Sequence, residues 1–437
     1  MNPPAIAGWL EALRRGFVAF LVVAGIGQLF ALVGPALAGT RASLGSFVRL
    51  GLVYLGSFHH VAVELDVPEL DVTAAPGSGA TSLSIGIALL SVTAVAGWLL
   101  FRGGRAAAER GGGGTGARVL LGAAVAPGYA IPAFALMALA RTTTSLRWGA
   151  VASGELRVGL STWQAVVFPF AIAAAAGAAG GLSSAVRGPL VGAAAAGGWR
   201  MFVLAMTLSL LGLFAAGIVQ PDGPAALLTP STARYLRPVL DHPGLGVAAV
   251  GHHVAVAPNE ALWTIAPAMG GCLVARGTVD ADLLCYGRFP REVATVPIPI
   301  SGEHVVLLPL GEASFGPAPR GYLLFLLVPL VSAGFGGRRA GERSGEQGRR
   351  AVLAGTAAGL VFAGLVGAAS LLSTVTIGYG AAFGAEGTSG WLIAGPDVPS
   401  ATFLALVWGA AGGALGAASL RWRSPRSSPP AARTTRR

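Results

Sequence analysis

HHVAV stands at residues 59–63 and again at residues 252–256, each copy after one long apolar segment and before three more. Read as a marker of equivalent positions, the pentapeptide divides the chain into two halves. The rest of the sequence is laid out from it.

The segments around the two copies set the class. The chain is 54% hydrophobic and 11% charged, where globular proteins carry about 25% charge, and its mean hydropathy is +0.68. The apolar residues come in blocks, which excludes an ordinary soluble domain and predicts an all-α polytopic membrane protein. About eight segments are long enough to cross the hydrocarbon core: residues 17–37, 83–101, 119–140 and 162–185 in the first half, and 201–219, 321–337, 351–372 and 401–420 in the second. The sixth is the weakest, being short and containing Pro329. None of the eight contains Asp, Glu, His or Arg.

The formal net charge of +11 is a matter of topology, because the basic residues sit between the spans and point to no nucleic-acid partner. All of them are Arg, which together with abundant Ala and Gly reads as the coding bias of a high-GC bacterium. Arg14 and Arg15 precede the first span; Arg102, Arg105, Arg110 and Arg118 follow the second; Arg187 and Arg200 follow the fourth; Arg338, Arg339, Arg343, Arg349 and Arg350 follow the sixth. Cytoplasmic loops hold such an excess, so both termini are expected in the cytoplasm of a cell with this protein in its inner membrane. The opposite side receives most of the acid, including Glu64, Asp66, Asp222, Asp241, Asp280, Asp282 and Asp397, with a few scattered arginines such as Arg49 and Arg141. Ala36-Leu37-Ala38 resembles a cleavage site, but the apolar run before it exceeds the 7–15 residues of a signal peptide's core and reads as a retained first span.

Two outer loops carry structure. In the first, residues 42–58 are apolar with one Arg, the pattern of an interfacial or re-entrant helix or of a partly buried ectodomain helix. His60, Ala62, Glu64 and Asp66 then alternate with apolar residues, as in a half-buried strand. The other, residues 220–320, is long enough for a small β-containing domain, with β-rich runs at 293–300 and 304–310. It holds the only two cysteines, Cys272 and Cys285, which on an oxidising face are expected to form a disulfide.

Two further recurrences join HHVAV. The basic loop at 103–118 resembles 336–350, and GAAGG at 177–181 recurs at 409–413, at nearly the same displacement along the chain. The expected organisation is therefore a parallel duplication: a first four-span repeat at 1–200, a second at 201–420 containing the extracytoplasmic domain 220–320, and a basic disordered cytoplasmic tail at 421–437. HHVAV recurs at a shorter displacement than the other two, so the second half is expected to carry added sequence after its copy, with both cysteines in it.

The chemistry on offer is sparse. Without ionisable residues in the spans, proton-coupled transport is disfavoured; Gln28, Gln164, Ser91, Thr93 and Thr207 are the polar residues near membrane depth. His59, His60, His252 and His253 are candidate metal ligands, since imidazole suits Zn or Cu and Glu64, Asp66 or Asp241 could complete a site. Against this, neighbouring His residues on a strand point to opposite faces, and outer strands with satisfied His account for the same residues. No HExxH, GxSxG, P-loop or strand-led GxGxxG occurs, so neither an enzyme nor a cofactor is expected; GGGGTG at 111–116 reads as a flexible linker. The function expected is a non-catalytic cell-envelope component whose outer domain binds a protein or lipid partner or envelope material. The alternative is a transporter or flippase for an uncharged or lipid-like substrate at the interface of the repeats, and a third is an extracytoplasmic metal-binding protein.

Overall fold

The computed structural model describes residues 6–37, 43–72, 78–148, 152–186, 188–219, 243–278, 280–285, 289–292, 295–301, 304–309, 314–316, 320–345, 348–383 and 386–420. Its first ten elements are α1 (Ile6–Leu37), α2 (Leu44–Ser57), β1 (Val63–Val72), β2 (Ser78–Gly86), α3 (Leu90–Gly111), α4 (Thr115–Ala123), α5 (Val125–Ala138), β3 (Thr142–Trp148), β4 (Ala152–Leu160) and α6 (Thr162–Ala185). Then come α7 (Pro189–Val219), α8 (Pro243–Ala268), β5 (Cys272–Gly277), β6 (Ala281–Cys285) and the short strands β7 (Phe289–Glu292), β8 (Thr295–Ser301), β9 (His304–Pro309) and β10 (Ser314–Gly316). A 3-10 turn (Arg320–Leu326) leads into α9 (Leu327–Arg343), α10 (Arg349–Ser373), β11 (Val375–Phe383), β12 (Glu386–Pro396) and α11 (Val398–Ala418).

The chain is mostly helical, and among the described residues seven helices are long and apolar enough to cross a membrane: Ile6–Leu32, Thr115–Ala138, Thr162–Ala185, Pro189–Leu213, Leu323–Arg343, Arg349–Ser373 and Val398–Ala418. The segment expected at 83–101 is built differently. Residues 83–86 belong to β2, and α3 begins at Leu90 and continues through Arg102 and Arg105 to Gly111. Its apolar part is therefore only about 18 Å long at 1.5 Å per residue. The glycine linker is likewise shorter than expected, because α3 runs to Gly111 and α4 starts at Thr115; Gly112 and Gly113 make the reversal at positive φ (66° and 88°).

Helix crossings are set by glycine. A Cβ on Gly177 of α6 would overlap the Gly122 carbonyl oxygen of α4, and one on Gly413 of α11 would overlap the Gly355 carbonyl oxygen of α10. Gly104 of α3 meets the Gly177 backbone, and Gly337 of α9 meets that of Gly413. Such approaches give close van der Waals packing where lipid supplies no hydrophobic drive between helices.

The arginine-rich helix ends gather at one end of the bundle. Buried Glu11 of α1 accepts hydrogen bonds from Arg14 and Arg15 and, across the crossing, from Arg110 of α3 at 2.8 Å. Gly8 of α1 lies against Gly111 of α3 there, and Leu420 beyond α11 lies against Gly341 of α9.

The opposite end carries a sheet larger than the sequence reading expects. Eight strands run in the order β3-β4-β1-β2-β11-β12-β5-β6, and every pairing is antiparallel. Four hairpins supply it, and only one of them comes from residues 220–320. The hairpins at 142–160 and 375–396 escape a sequence reading because Gly, Ser and Thr replace much of the β-branched pattern in them. Two small two-stranded sheets, β7 with β10 and β8 with β9, stand apart from the large one.

Cys272 and Cys285 are opposite each other on β5 and β6 and are joined by a disulfide. Closing this loop, with a sequence separation of 13, contributes about 3 kcal/mol by the chain-entropy account. Replacing both cysteines by serine is expected to lower the melting temperature of this edge of the sheet and to leave the helices folded. Protease sensitivity within 272–285, compared with that at the helix crossings, checks this.

Candidate functional site

The two HHVAV copies occupy different structures. The first lies at the turn from α2 into β1, and the second lies inside α8. The strand expected to begin at His60 begins at Val63, because His60 itself adopts positive φ (63°), the one non-glycine residue to do so among the described residues.

His59 is fully buried, its Nδ1–H donating to the Leu55 carbonyl at 2.7 Å and its Nε2 accepting from the Tyr129 hydroxyl at 2.5 Å. Burial pushes its imidazole down to about 4. With both ring nitrogens engaged, His59 has no lone pair left for a metal. His60 turns the other way, against the Phe168 ring and toward the Leu372 carbonyl, and its Nδ1 is buried without a partner among the described residues. The side chains of His252 and His253 lie outside the described residues. Among the described residues, Cys272, Asp282 and Cys285 approach one another closely enough to hold an ion, but both sulfurs are in the disulfide.

Tyr129→Phe is expected to cost about 1–3 kcal/mol by stranding the buried His59 Nε2. Its check is a thermal melt, read beside metal analysis of the same preparation.

The polar groups converge on one face of the large sheet. Strand pairing aligns Thr143, Arg157, Asp66, Ser82, Gly380 and Ser389 in one row across β3, β4, β1, β2, β11 and β12. The row two residues along each strand contains Gly159, Glu64, Ser84, Gly378 and Trp391. Because side chains alternate along a strand, both rows share a face. Six strands make a trough about 24 Å wide at the usual strand spacing.

At one end of the trough is a cleft of about 600 Å³ lined by Arg49, Arg141, Arg157, Glu64 and Asp66. A second of about 580 Å³ continues from Asp66 and Arg157 over Thr81, Ser82, Gly380, Gly387 and Ser389. Arg49 is held by a hydrogen bond to the Thr142 hydroxyl and Arg141 by one to the Thr162 hydroxyl, both 2.7 Å. Each guanidinium has five N–H donors, so among the described residues most are left to face the cleft. Arg157 pairs only loosely with Glu155, at 3.9 Å. Among the described residues no ion pair joins Glu64 or Asp66 to the three arginines. Opposite charges are thus set out side by side without neutralising one another directly, an arrangement suited to a polar ligand.

Sequence reasoning misses this site because its residues lie in three separate segments between the helices. The available signal is the presence of Arg49 and Arg141 on the acid-rich side.

A second feature is also missed. α8 packs against α1, α3, α7, α9 and α10, so it lies between the first and second halves. Asn259 ties it to the first half by donating to the Ala88 carbonyl at 2.7 Å and accepting from the Leu90 N–H at 3.1 Å. Its neighbour Glu260 is only 4% exposed, and burial raises its carboxyl to about 7. The sequence reading places Glu260 in an outer domain and leaves the interface between the halves without a buried acid.

Comparison with family models, curated proteins and solved structures finds nothing that matches this chain.

Proposed function

We propose that the chain is a non-catalytic inner-membrane component of a bacterial envelope that holds a binding face, the large sheet, on the extracytoplasmic side. The observation that carries this reading is the convergence of hairpins from both halves on one sheet, with its polar trough, at the end of the bundle opposite the arginine-rich helix ends. That opposition is the one the positive-inside rule expects, and it supports a cytoplasmic location for both termini. It also supports eight crossings. β1-β2 precede α3 and β3-β4 follow α5, yet β1 pairs with β4; if α4-α5 crosses, α3 must cross as well.

Parallel duplication is part of the proposal, and matching contacts support it. The His59 N–H donates to the Gly56 carbonyl and the Val61 N–H to the same oxygen; Met269 and Gly271 both donate to Ala266 in the same way. The Ser161 N–H donates to Ala62 at 2.9 Å, as Asp397 does to Cys272 at 3.0 Å. In this reading Met269-Gly270 are the counterparts of His59-His60, with Gly270 at φ 100° where His60 is at 63°. The HHVAV recurrence is therefore out of register with the contacts. GAAGG is out of register too, by one helical turn, since Gly177 corresponds to Gly413 through the Gly122 and Gly355 contacts. The domain boundaries near residues 200 and 420 are retained in this reading, with the added sequence divided between the α7–α8 connection and strands β7–β10.

The test has two arms. A reporter fused after Arg343 should read cytoplasmic and one in the β11-β12 turn extracytoplasmic; the reverse pattern rejects the orientation. A photo-crosslinking residue at Ser389 should capture envelope material in living cells, while one at Leu360, exposed on α10, should capture bulk lipid. Capture at Ser389 no different from that at Leu360 rejects the binding face.

A second reading, transport between the halves, is favoured by one observation: buried Glu260 on the helix lodged there. It predicts proton-linked flux in proteoliposomes that Glu260→Gln abolishes.

A further inference from the structure

Building on the binding-face reading, we infer that the trough takes an anionic carbohydrate, a hydroxyl-rich chain bearing phosphate or carboxylate groups. Three features of one surface point to this ligand. At one end, Arg49, Arg141 and Arg157 line a single cleft, and guanidinium forks match the oxygens of phosphate and carboxylate in paired hydrogen bonds. Beside them Glu64 and Asp66 stand free of ion pairs with other described residues, and carboxylates accept from vicinal hydroxyls, a role that a purely anion-binding cleft would not need.

The floor toward the second half is made of Ser82, Gly380, Gly387 and Ser389, small and polar, so a flat ring can lie against the backbone. Trp391 follows two residues after Ser389 on the same strand, is 55% exposed, and has the side-chain-free Gly378 opposite it. An exposed indole with cleared space beside it is a stacking platform for the apolar face of a sugar ring, its N–H still available to a polar partner. Phosphate alone would use the arginines and leave the tryptophan and the hydroxyl floor idle. A neutral glycan would leave the arginines idle. An anionic glycan uses all three.

The experiment uses the full chain in nanodiscs, titrated with a short phosphorylated glucose oligomer, an oligogalacturonate and a neutral glucose oligomer, and separately with a lipid-linked sugar phosphate placed in the nanodisc. The expected result is binding of both anionic oligomers at least about tenfold tighter than the neutral one. Arg157→Gln should weaken the anionic ligands by about tenfold, and Trp391→Ala should weaken all three with unchanged melting temperature. Tighter binding of the lipid-linked form assigns the membrane as the source, and equal binding assigns soluble or wall polymer. Equal affinity for neutral and anionic oligomers, or wild-type affinity in both variants, overturns the inference. If Ser389 crosslinks envelope material that resists periodate, the binding face stands and the carbohydrate assignment falls; if Ser389 captures only bulk lipid, both fall.

Discussion

Valine at Gly177 or at Gly413 is expected to prevent the bundle from assembling, the largest effect of any single substitution considered for this chain. The added Cβ would occupy the space of a neighbouring helix's carbonyl oxygen, at Gly122 for the first and Gly355 for the second. Backbone, unlike a side chain, cannot rotate away, so two helices must separate, and every contact along their crossing weakens together. Overpacking of side chains costs about 1–3 kcal/mol; a displaced helix pair should exceed that and reach at least about 4–5 kcal/mol. Gly97 and Gly364 are the controls, since nothing lies within 4 Å of a Cβ at either. Alanine there should be neutral or stabilising by up to about 1 kcal/mol. Monodispersity in detergent and thermal melting separate the two classes.

The second large effect is the pH response of Glu260. Its carboxyl is raised from 4.5 to about 7 by burial, so the folded protein holds this proton more tightly than the unfolded chain does. Linkage then runs in one direction: the contribution is most favourable below about 4.5, is lost as pH rises toward 7, and is fully lost above it. At about 1.4 kcal/mol per unit the difference is about 3 kcal/mol. Glu260→Gln is expected to remove this dependence and to melt above the parent at pH 8, with little difference at pH 5. Parallel melting curves for parent and variant from pH 5 to 8 would contradict the assignment.

How much of this was legible in the sequence follows from which physical signals are local. Apolar runs long enough to span a bilayer, and the arginine excess beside them, are local. The polytopic class and most of the spanning helices could therefore be read directly. The Cys272–Cys285 bond was legible for the same reason, as a lone pair a short distance apart. The sheet was not, because it is assembled from hairpins as far apart in the chain as β1-β2 and β11-β12. Strands such as β11 also substitute Gly and Ala where a β pattern would show Val and Ile.

Identical pentapeptides take different structures when the neighbours differ. Before the first copy α2 ends at Ser57, and His60 takes the left-handed turn. After the second, helix α8 continues through Pro258, and the next positive-φ residue is Gly270. In the proposed duplication, low-complexity Ala/Gly sequence lets GAAGG slide by one helical turn from the matching contacts, a shift that roughly keeps the helix face and leaves no trace in composition. Glu260 was invisible because burial of one acid depends on the helix lying between both halves, which no stretch of sequence encodes by itself.

The claim that both halves share one sheet on the outer side has a direct test in the Ser84→Cys, Gly378→Cys double variant. Ser84 of β2 and Gly378 of β11 are strand partners, and a Cβ built on Gly378 lies 3.8 Å from that of Ser84, within the about 3.5–4.5 Å that a disulfide requires. With a protease site inserted between α6 and α7, the cleaved protein should run as one species without reductant and as two fragments with it. The introduced thiols should react with a membrane-impermeant reagent added to intact cells before oxidation. Fragments that part without reductant, or thiols reached only from the cytoplasmic side, would contradict the account.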